Sequence, residues 1–269
     1  MKTGVLVQAR VKSTRFPYKM ILPLPGGPLI QHCLRAAKKI NADEYAILTT
    51  EEDAVYFEEV CRHEGFDIIT GPEDNVLKRF TNAIKKYNLD TVVRVTGDKA
   101  FLSPTHTQML VDTYNEFAQI IDFVYYDSTP LKEVTGAPYK ASLMIEMDEN
   151  PDTPANWREH IRPGFIEKYR SQIVKNPPKK YAATRSIKLT IDTRDDYIRI
   201  RKIYEILYRG KVLEIDDIED LMISLSPSLS YDYTYSPKKY YDPFEPVIEK
   251  VEEKTPTNES IESSTIAPI

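Results

Sequence analysis

Val5-Leu6-Val7-Gln8-Ala9-Arg10-Val11-Lys12-Ser13-Thr14-Arg15-Phe16-Pro17-Tyr18-Lys19 sets an apolar run directly before a segment that carries Arg10, Lys12, Arg15 and Lys19. Val5 to Val7 reads as a strand that empties into a basic loop. In an open α/β sheet, the loop at the carboxyl end of the first strand is where ligands bind. Clustered positive charge there suits a phosphate-rich ligand. The stretch therefore predicts a nucleotide-handling fold, with an ordinary solvated basic turn as the alternative.

Outward from this loop, strands and helices alternate. Strands are expected at 45–49, 67–69 and 91–96, and helices at 28–40, 52–64 and 75–87. In the first helix Leu29, Ile30, Cys33, Leu34 and Ala37 fall at helical spacing, and Asn88 is suited to cap the third. This order predicts an α/β fold with a doubly wound, mostly parallel, Rossmann-like sheet. The loops after Val7 and after Thr96 then lie at strand ends and can converge on one crevice. Further along, a helix is expected at 105–117, a strand at 122–126 and irregular chain at 127–157 with a strand at 141–147. A helix at 157–170 interrupted near Pro163-Gly164, a strand within 181–192, and helices at 195–208 and 215–224 complete the pattern.

The chain has 269 residues, 41% hydrophobic and 29% charged, enough for one large domain with a substantial core. Its formal charge is −5, and the stretch 242–269, with seven acids and two lysines, supplies all of it. The neutral remainder argues against a nucleic-acid partner. Cys33 and Cys61 lack metal-type spacing, and no secretory or membrane-length apolar segment is legible, so a cytoplasmic chain with reduced thiols and no membrane partner is expected. The main domain is expected over 1–230, followed by a Tyr-rich extension at 231–246 and a disordered acidic tail at 247–269. The tyrosines fit either a docking strip or packing across the domain surface.

Asp98 and Asp192, each at an expected strand end, form a natural carboxylate pair for Mg²⁺, which takes oxygen ligands and completes its shell with phosphates and water. A turn role for Asp98 and a helix cap for Asp192 are the alternatives. Arg79, on one helical face with Asn75, reaches either the crevice or solvent. Arg158, Glu159 and His160 start or line a later helix. His32, His63 and His106 share no metal spacing.

Three segments together carry a resemblance: Gln8 to Lys19, Arg94-Val95-Thr96-Gly97-Asp98, and Thr190-Ile191-Asp192-Thr193-Arg194-Asp195-Asp196. Weaker matches run from Gly71 to Phe80 and over Arg158-Glu159-His160. Over roughly residues 3 to 210 the chain resembles the cytidylyltransferases of the spore-coat polysaccharide type, relatives of the enzymes that make CMP-activated acidic sugars. The first segment, similar to Ala-Arg-x-x-Ser-x-Arg-Leu-Pro-x-Lys, is the specific one. The resemblance implies a nucleotide-diphospho-sugar transferase fold that joins CTP to an anionic sugar or phosphorylated small molecule and releases pyrophosphate.

It also implies roles. Gln8, Ala9, Arg10, Ser13, Arg15, Lys19, Arg79 and Thr96 would bind the nucleotide, and Arg10, Lys19 and Asp98 would be catalytic. Asp98 and Asp192 would hold Mg²⁺. Arg158, Glu159 and His160 would bind the acceptor, and a homodimer would form with an acceptor and dimerisation part at 127–180. Lys12 and Tyr18 stand where relatives carry small residues. Lys99 and Ala100 follow Asp98 where relatives carry an uncharged residue and a proline, and the usual Pro-Asp-Gly acceptor segment gives way to Thr135-Gly136-Ala137-Pro138-Tyr139. An inward-facing Lys99 would compete with the metal or substitute for its charge. A non-catalytic nucleotide-binding relative and a glycosyltransferase on the same fold are the other readings.

Overall fold

In the computed structural model, residues 1–174 and 180–225 are described. The opening apolar run forms strand β1 (Thr3–Gln8), followed by α1 (Leu29–Ala37), β2 (Glu44–Thr49), α2 (Glu58–Glu64), β3 (Asp67–Thr70), α3 (Val76–Tyr87) and β4 (Thr91–Thr96). The second half comprises α4 (Pro104–Phe117), β5 (Phe123–Tyr126), α5 (Leu131–Val134), β6 (Ala137–Lys140) and α6 (Ala141–Glu149). Then come α7 (Ala155–His160), α8 (Arg162–Lys168), β7 (Ser171–Val174), α9 (Arg194–Leu207) and α10 (Ile215–Leu225).

These strands form one sheet in the order β3-β2-β1-β4-β6-β5-β7, and a separate short ribbon pairs Pro23–Leu24 with Gly27–Pro28. All neighbours in the sheet are parallel except β6, which runs against both β4 and β5. From β1 the chain builds outward to β3, then returns to lay β4 on the other side of β1. The order reverses between β1 and β4, so a crevice opens at their carboxyl ends, where Gln8 and Thr96 are register partners.

Helices cover both faces, which is why Val5, Leu6 and Val7 are all fully buried although adjacent side chains point oppositely. Val5, Val7, Val93 and Val95 meet α1, α9 and α10 on one side. Leu6 and Val92 meet Phe80 of α3, Met144 of α6 and Phe165 of α8 on the other. The five α1 positions picked out by helical spacing are all buried. Asn75 caps α3 through Lys78 N–H, and Asn88 ends it in the left-handed region at φ 54°.

Four expectations are corrected. Residues 141–147 lie in helix α6 rather than a strand. Ala141, Met144 and Met147 are its buried positions, a spacing of three that suits a helix, and the strand lies just upstream in β6. No strand forms among the described residues of 181–192, because side chains take its backbone donors. Glu219 accepts from Ala183 and Thr184 N–H, Glu133 from Leu189 N–H, and Asp196 from Asp192 N–H. The expected helix at 157–170 breaks at Ile161, not at Pro163-Gly164, because proline fits the first turn of α8. The expected helix at 52–64 is a 3₁₀ turn at Ala54–Tyr56, then α2. Strand β7 was not foreseen; its start is tied down by Arg170, whose guanidinium holds the buried Asp122 carboxylate. The expected Tyr-rich extension and acidic tail lie outside the described residues.

His32 locks α1 to the end of the chain's long late helix. Its ring lies 4.5 Å from that of Tyr204 and 5.2 Å from that of Tyr208. Burial pushes its pKa down from 6.5 to about 4, so the unfolded chain takes up the proton first as the pH falls. Stability contributed by neutral His32 is therefore full above 6.5 and lost toward pH 4, a loss of about 3 kcal/mol at 1.36 kcal/mol per unit. Over that interval the native chain should lose more stability than His32→Gln, measured by urea unfolding; parallel losses would remove His32 as the cause.

Candidate active site

The basic loop folds around the backbone of one residue, Val11. The carbonyl of Val11 accepts from Ser13 N–H at 3.0 Å and Tyr18 N–H at 2.8 Å, and Val11 N–H donates to Asp53 Oδ2 at 2.7 Å. Asp53 is buried, and Val11 is fully so. Tyr18 turns the chain in the left-handed region at φ 61°, which sends Lys19 back into the protein. The same turn settles two departures from the family pattern. Lys12 points outward to Glu52, and the exposed Tyr18 packs its ring against Tyr56 at 6.2 Å. Neither lines the crevice.

The crevice is a cleft of about 290 Å³ at the carboxyl ends of β1 and β4. Gln8, Ala9, Arg10, Ser13, Arg15 and Lys19 line it from the first strand and loop. Arg79 comes from α3, Thr96 and Asp98 from the end of β4, Glu159 and His160 from α7, and Asp192 from the turn before α9. The expected acceptor residue Arg158 is the exception and is corrected. It donates to the carbonyls of Asp148 and Asn150 at 3.0 and 2.8 Å, fastening α7 to the end of α6. Arg79 lines the cleft but is also buried, donating to Pro72 O at 2.7 Å. Burial and the nearby charge of Arg10 lower its pKa.

Lys19 is the hub. Its nearly buried ammonium lies 3.3 Å from Asp98 Oδ2 and 3.2 Å from Asp192 Oδ1, and it also donates to Ile191 O. Arg15 reaches the same Asp192 oxygen at 2.8 Å, and Lys188 holds the other at 3.0 Å. Burial works against ionised Asp192, but the hydrogen bond from Lys188 and the charges of Lys19 and Lys188 keep its pKa below the ordinary value. The helix-cap role falls to Thr193, which forms a capping box with Asp196, so Asp192 is left to face the cleft.

The donor set fits a hard divalent cation. Two carboxylates share the Lys19 ammonium, with Arg15 and Lys188 also on Asp192, and among the described residues Asp98 Oδ1 is buried without a hydrogen-bond partner. Among the described residues no three His, Cys, Asp or Glu side chains converge, so such an ion would draw its other ligands from phosphates and water.

Lys99 does not face this pair. Buried, it donates to the carbonyls of Lys132 and Glu133 at 3.0 and 2.6 Å, and burial pulls its pKa down to about 8 against the opposing effect of Asp98. Glu133 in turn accepts from Leu189 N–H at 2.6 Å, and Ile191 N–H points to Asp98 O at 3.4 Å. Lys99 and Glu133 thus tie the chain after Asp98 to the chain before Asp192. Sequence reasoning missed Asp53 and Glu133, since each acts from a remote position on a backbone N–H. It quoted Arg94 without a role; a lone arginine in an apolar strand was the available signal, and Arg94 lines the cleft.

A family model described as cytidylyltransferase matches residues 4–222. The chain belongs to the cytidylyltransferase family. As a member it is a nucleotidyltransferase that uses CTP. It is 29% identical over 212 residues to the spore coat polysaccharide biosynthesis protein SpsF of Bacillus subtilis, covering 74% of this chain and 85% of that protein. A 3-deoxy-manno-octulosonate cytidylyltransferase of Marinobacter nauticus is 30% identical over 124 residues, 44% of this chain and 46% of that one. Among solved structures, a cytidylyltransferase from Leptospira borgpetersenii superposes with a TM-score of 0.75 at 26% identity, covering 88% of this chain and 99% of that one. A CMP-2-keto-3-deoxy-manno-octonic acid synthetase complexed with CTP shares the fold, with a TM-score of 0.57 at 14% identity over 76% of this chain and 99% of that one.

The cytidylyltransferase loop depends on Asp53. Replacing it in Asp53→Ala leaves Val11 N–H buried without its acceptor, a cost of about 1–3 kcal/mol. Urea unfolding should show that loss and a CTP titration a weaker affinity; unchanged values in both would mean that the loop holds itself.

Proposed function

We propose that this cytidylyltransferase transfers CMP, with Mg²⁺, to an acidic sugar or a phosphorylated acceptor for surface glycan assembly. The observation that carries the reading is the Asp98–Lys19–Asp192 cluster, set beside Arg10, Ser13 and Arg15 in one cleft. Arg10 and Arg15 offer planar forks to phosphate oxygens, Lys19 a point charge and Ser13 a hydroxyl. Together they neutralise the triphosphate and hold its α-phosphorus in line with an acceptor oxygen. That oxygen forms a new bond to phosphorus, the bond to the bridging oxygen breaks, and pyrophosphate leaves.

Mg²⁺, held by Asp98 and Asp192, would supply further neutralisation of the phosphate charge. Glu159 and His160 line the same cleft and are the acceptor-side residues in this reading. The acidic-sugar class draws support from the relative named for 3-deoxy-manno-octulosonate, and the glycan setting from the relative named for spore coat polysaccharide. A homodimer through 127–180 belongs to the same reading. The engagement of Lys99 with two carbonyls weighs against the non-catalytic alternative, which needed that ammonium in the metal site.

The test is pyrophosphate release from CTP and Mg²⁺ with 3-deoxy-manno-octulosonate, other acidic sugars, sugar phosphates and neutral sugars. Release is expected with an anionic acceptor. In Asp98→Asn it should fall roughly a hundredfold or more with the fold kept, as removing a group that stabilises transition-state charge does. Retained turnover in that variant would contradict the role of Asp98. CTP binding without release across the panel would favour the binding relative.

A further inference from the structure

Beyond the carboxylate pair, one row across the sheet gathers two guanidiniums. Arg94 of β4 stands opposite Ala137 of β6. Phe123 of β5 pairs with Tyr139 of β6, and Tyr125 and Ala137 each lie two residues along from that pair, on its face of the sheet. Register partners share a face, so the three side chains point to one side of the sheet. Ala137 and Tyr125 belong there to the core packed by α3, α6 and α8.

Arg162 enters this row from α8. Its guanidinium carbon lies 5.3 Å from the centre of the Tyr125 ring. Arg94 Nε donates to the neutral Gln8 Oε1 at 2.9 Å, and Arg94 lines the cleft. Both side chains are half-buried. Among the described residues no carboxylate lies within ion-pair distance of either guanidinium. Burial, with the charge of Arg162 beside it, holds the pKa of Arg94 below its ordinary value against the opposing effects of Tyr139 and Asp98.

The backbone that delivers Arg162 is strained. Ile161, β-branched and fully buried, has φ 57° and ψ −58°. Such a conformation persists only where its surroundings enforce it. It separates α7, whose last residue His160 lines the cleft, from α8, whose first residue Arg162 lies over Tyr125. Two guanidiniums without a carboxylate partner among the described residues, one delivered by a strained turn, offer planar forks to a carboxylate or phosphate.

We propose that Arg94 and Arg162 receive the anionic group of the acceptor, a carboxylate or a phosphate. The proposal rests on the reading of an anionic acceptor given above. The test uses calorimetric titration of the full-length chain filled with a non-hydrolysable CTP analogue. Pyruvate serves as the carboxylate probe and inorganic phosphate as the phosphate probe. Saturable binding of at least one is expected, weakened at least tenfold in Arg162→Gln and in Arg94→Gln, with Arg162→Lys intermediate because it keeps the charge and loses the fork. Binding of pyruvate alone marks a sugar acid, and of phosphate alone a sugar phosphate. No saturable binding of either probe overturns the proposal, as does equal binding by the native chain and a folded Arg162→Lys or Arg162→Gln. Failure to take up the CTP analogue counts instead against the cytidylyl reading. The probes are then titrated against the empty chain, where loss of binding in Arg162→Gln still supports the receptor and equal binding overturns it.

Discussion

The ammonium of Lys19, held between Asp98 and Asp192, is the contact on which the site depends. It joins three remote parts of the chain: the loop after the first strand, the turn after β4 and the turn before α9. Removing one partner of such a nearly buried cluster leaves the rest uncompensated, a larger effect than an exposed ion pair produces. Each arm has its own support. Asp53 holds the loop through Val11 N–H, Lys99 fastens the turn after Asp98 to the carbonyls of α5, and Asp196 accepts the N–H of Asp192 itself.

Such supports explain why bulk tolerated in the loop does not close the cleft. Lys12 and Tyr18 are large, yet the two hydrogen bonds to Val11 O curl the chain so that neither lines the cleft. Lys99 is charged, yet its side chain is turned from the carboxylates by two carbonyl acceptors near the end of α5. In each case position along the chain suggested interference, and backbone direction removed it.

The first half of the fold was legible because a sheet buried on both faces writes its strands as apolar runs, and its crossover helices carry a clear period. Val5 to Val7, Tyr45 to Thr49 and Thr91 to Thr96 are such runs, and the order of the resulting elements implied the crevice at Gln8 and Thr96. The second half was less legible because its backbone donors go to distant side chains. Residues 181–192 look like a strand in composition, but their N–H groups are taken by Glu219, Glu133 and Asp196. Arg158 was singled out with Glu159 and His160 by a short match to the family pattern, and a six-residue helix sends neighbours to different faces.

The contrast between halves bears on how the cleft divides its work. The end lined by Gln8, Ser13 and Thr96 is built from strand termini and one tightly hydrogen-bonded loop, positions that the sheet order dictates. The other end depends on the break at Ile161, where two short helices meet and neither periodicity nor capping residues announce the geometry. Ile161 keeps its strained backbone while fully buried, so packing of α7 and α8 against the sheet must overcome that cost, of order 1–3 kcal/mol. A straight helix through 155–168 would avoid the strain but would redirect His160, Arg162 or both. The strained residue therefore marks where the sheet stops dictating the shape of the cleft and side-chain identity takes over.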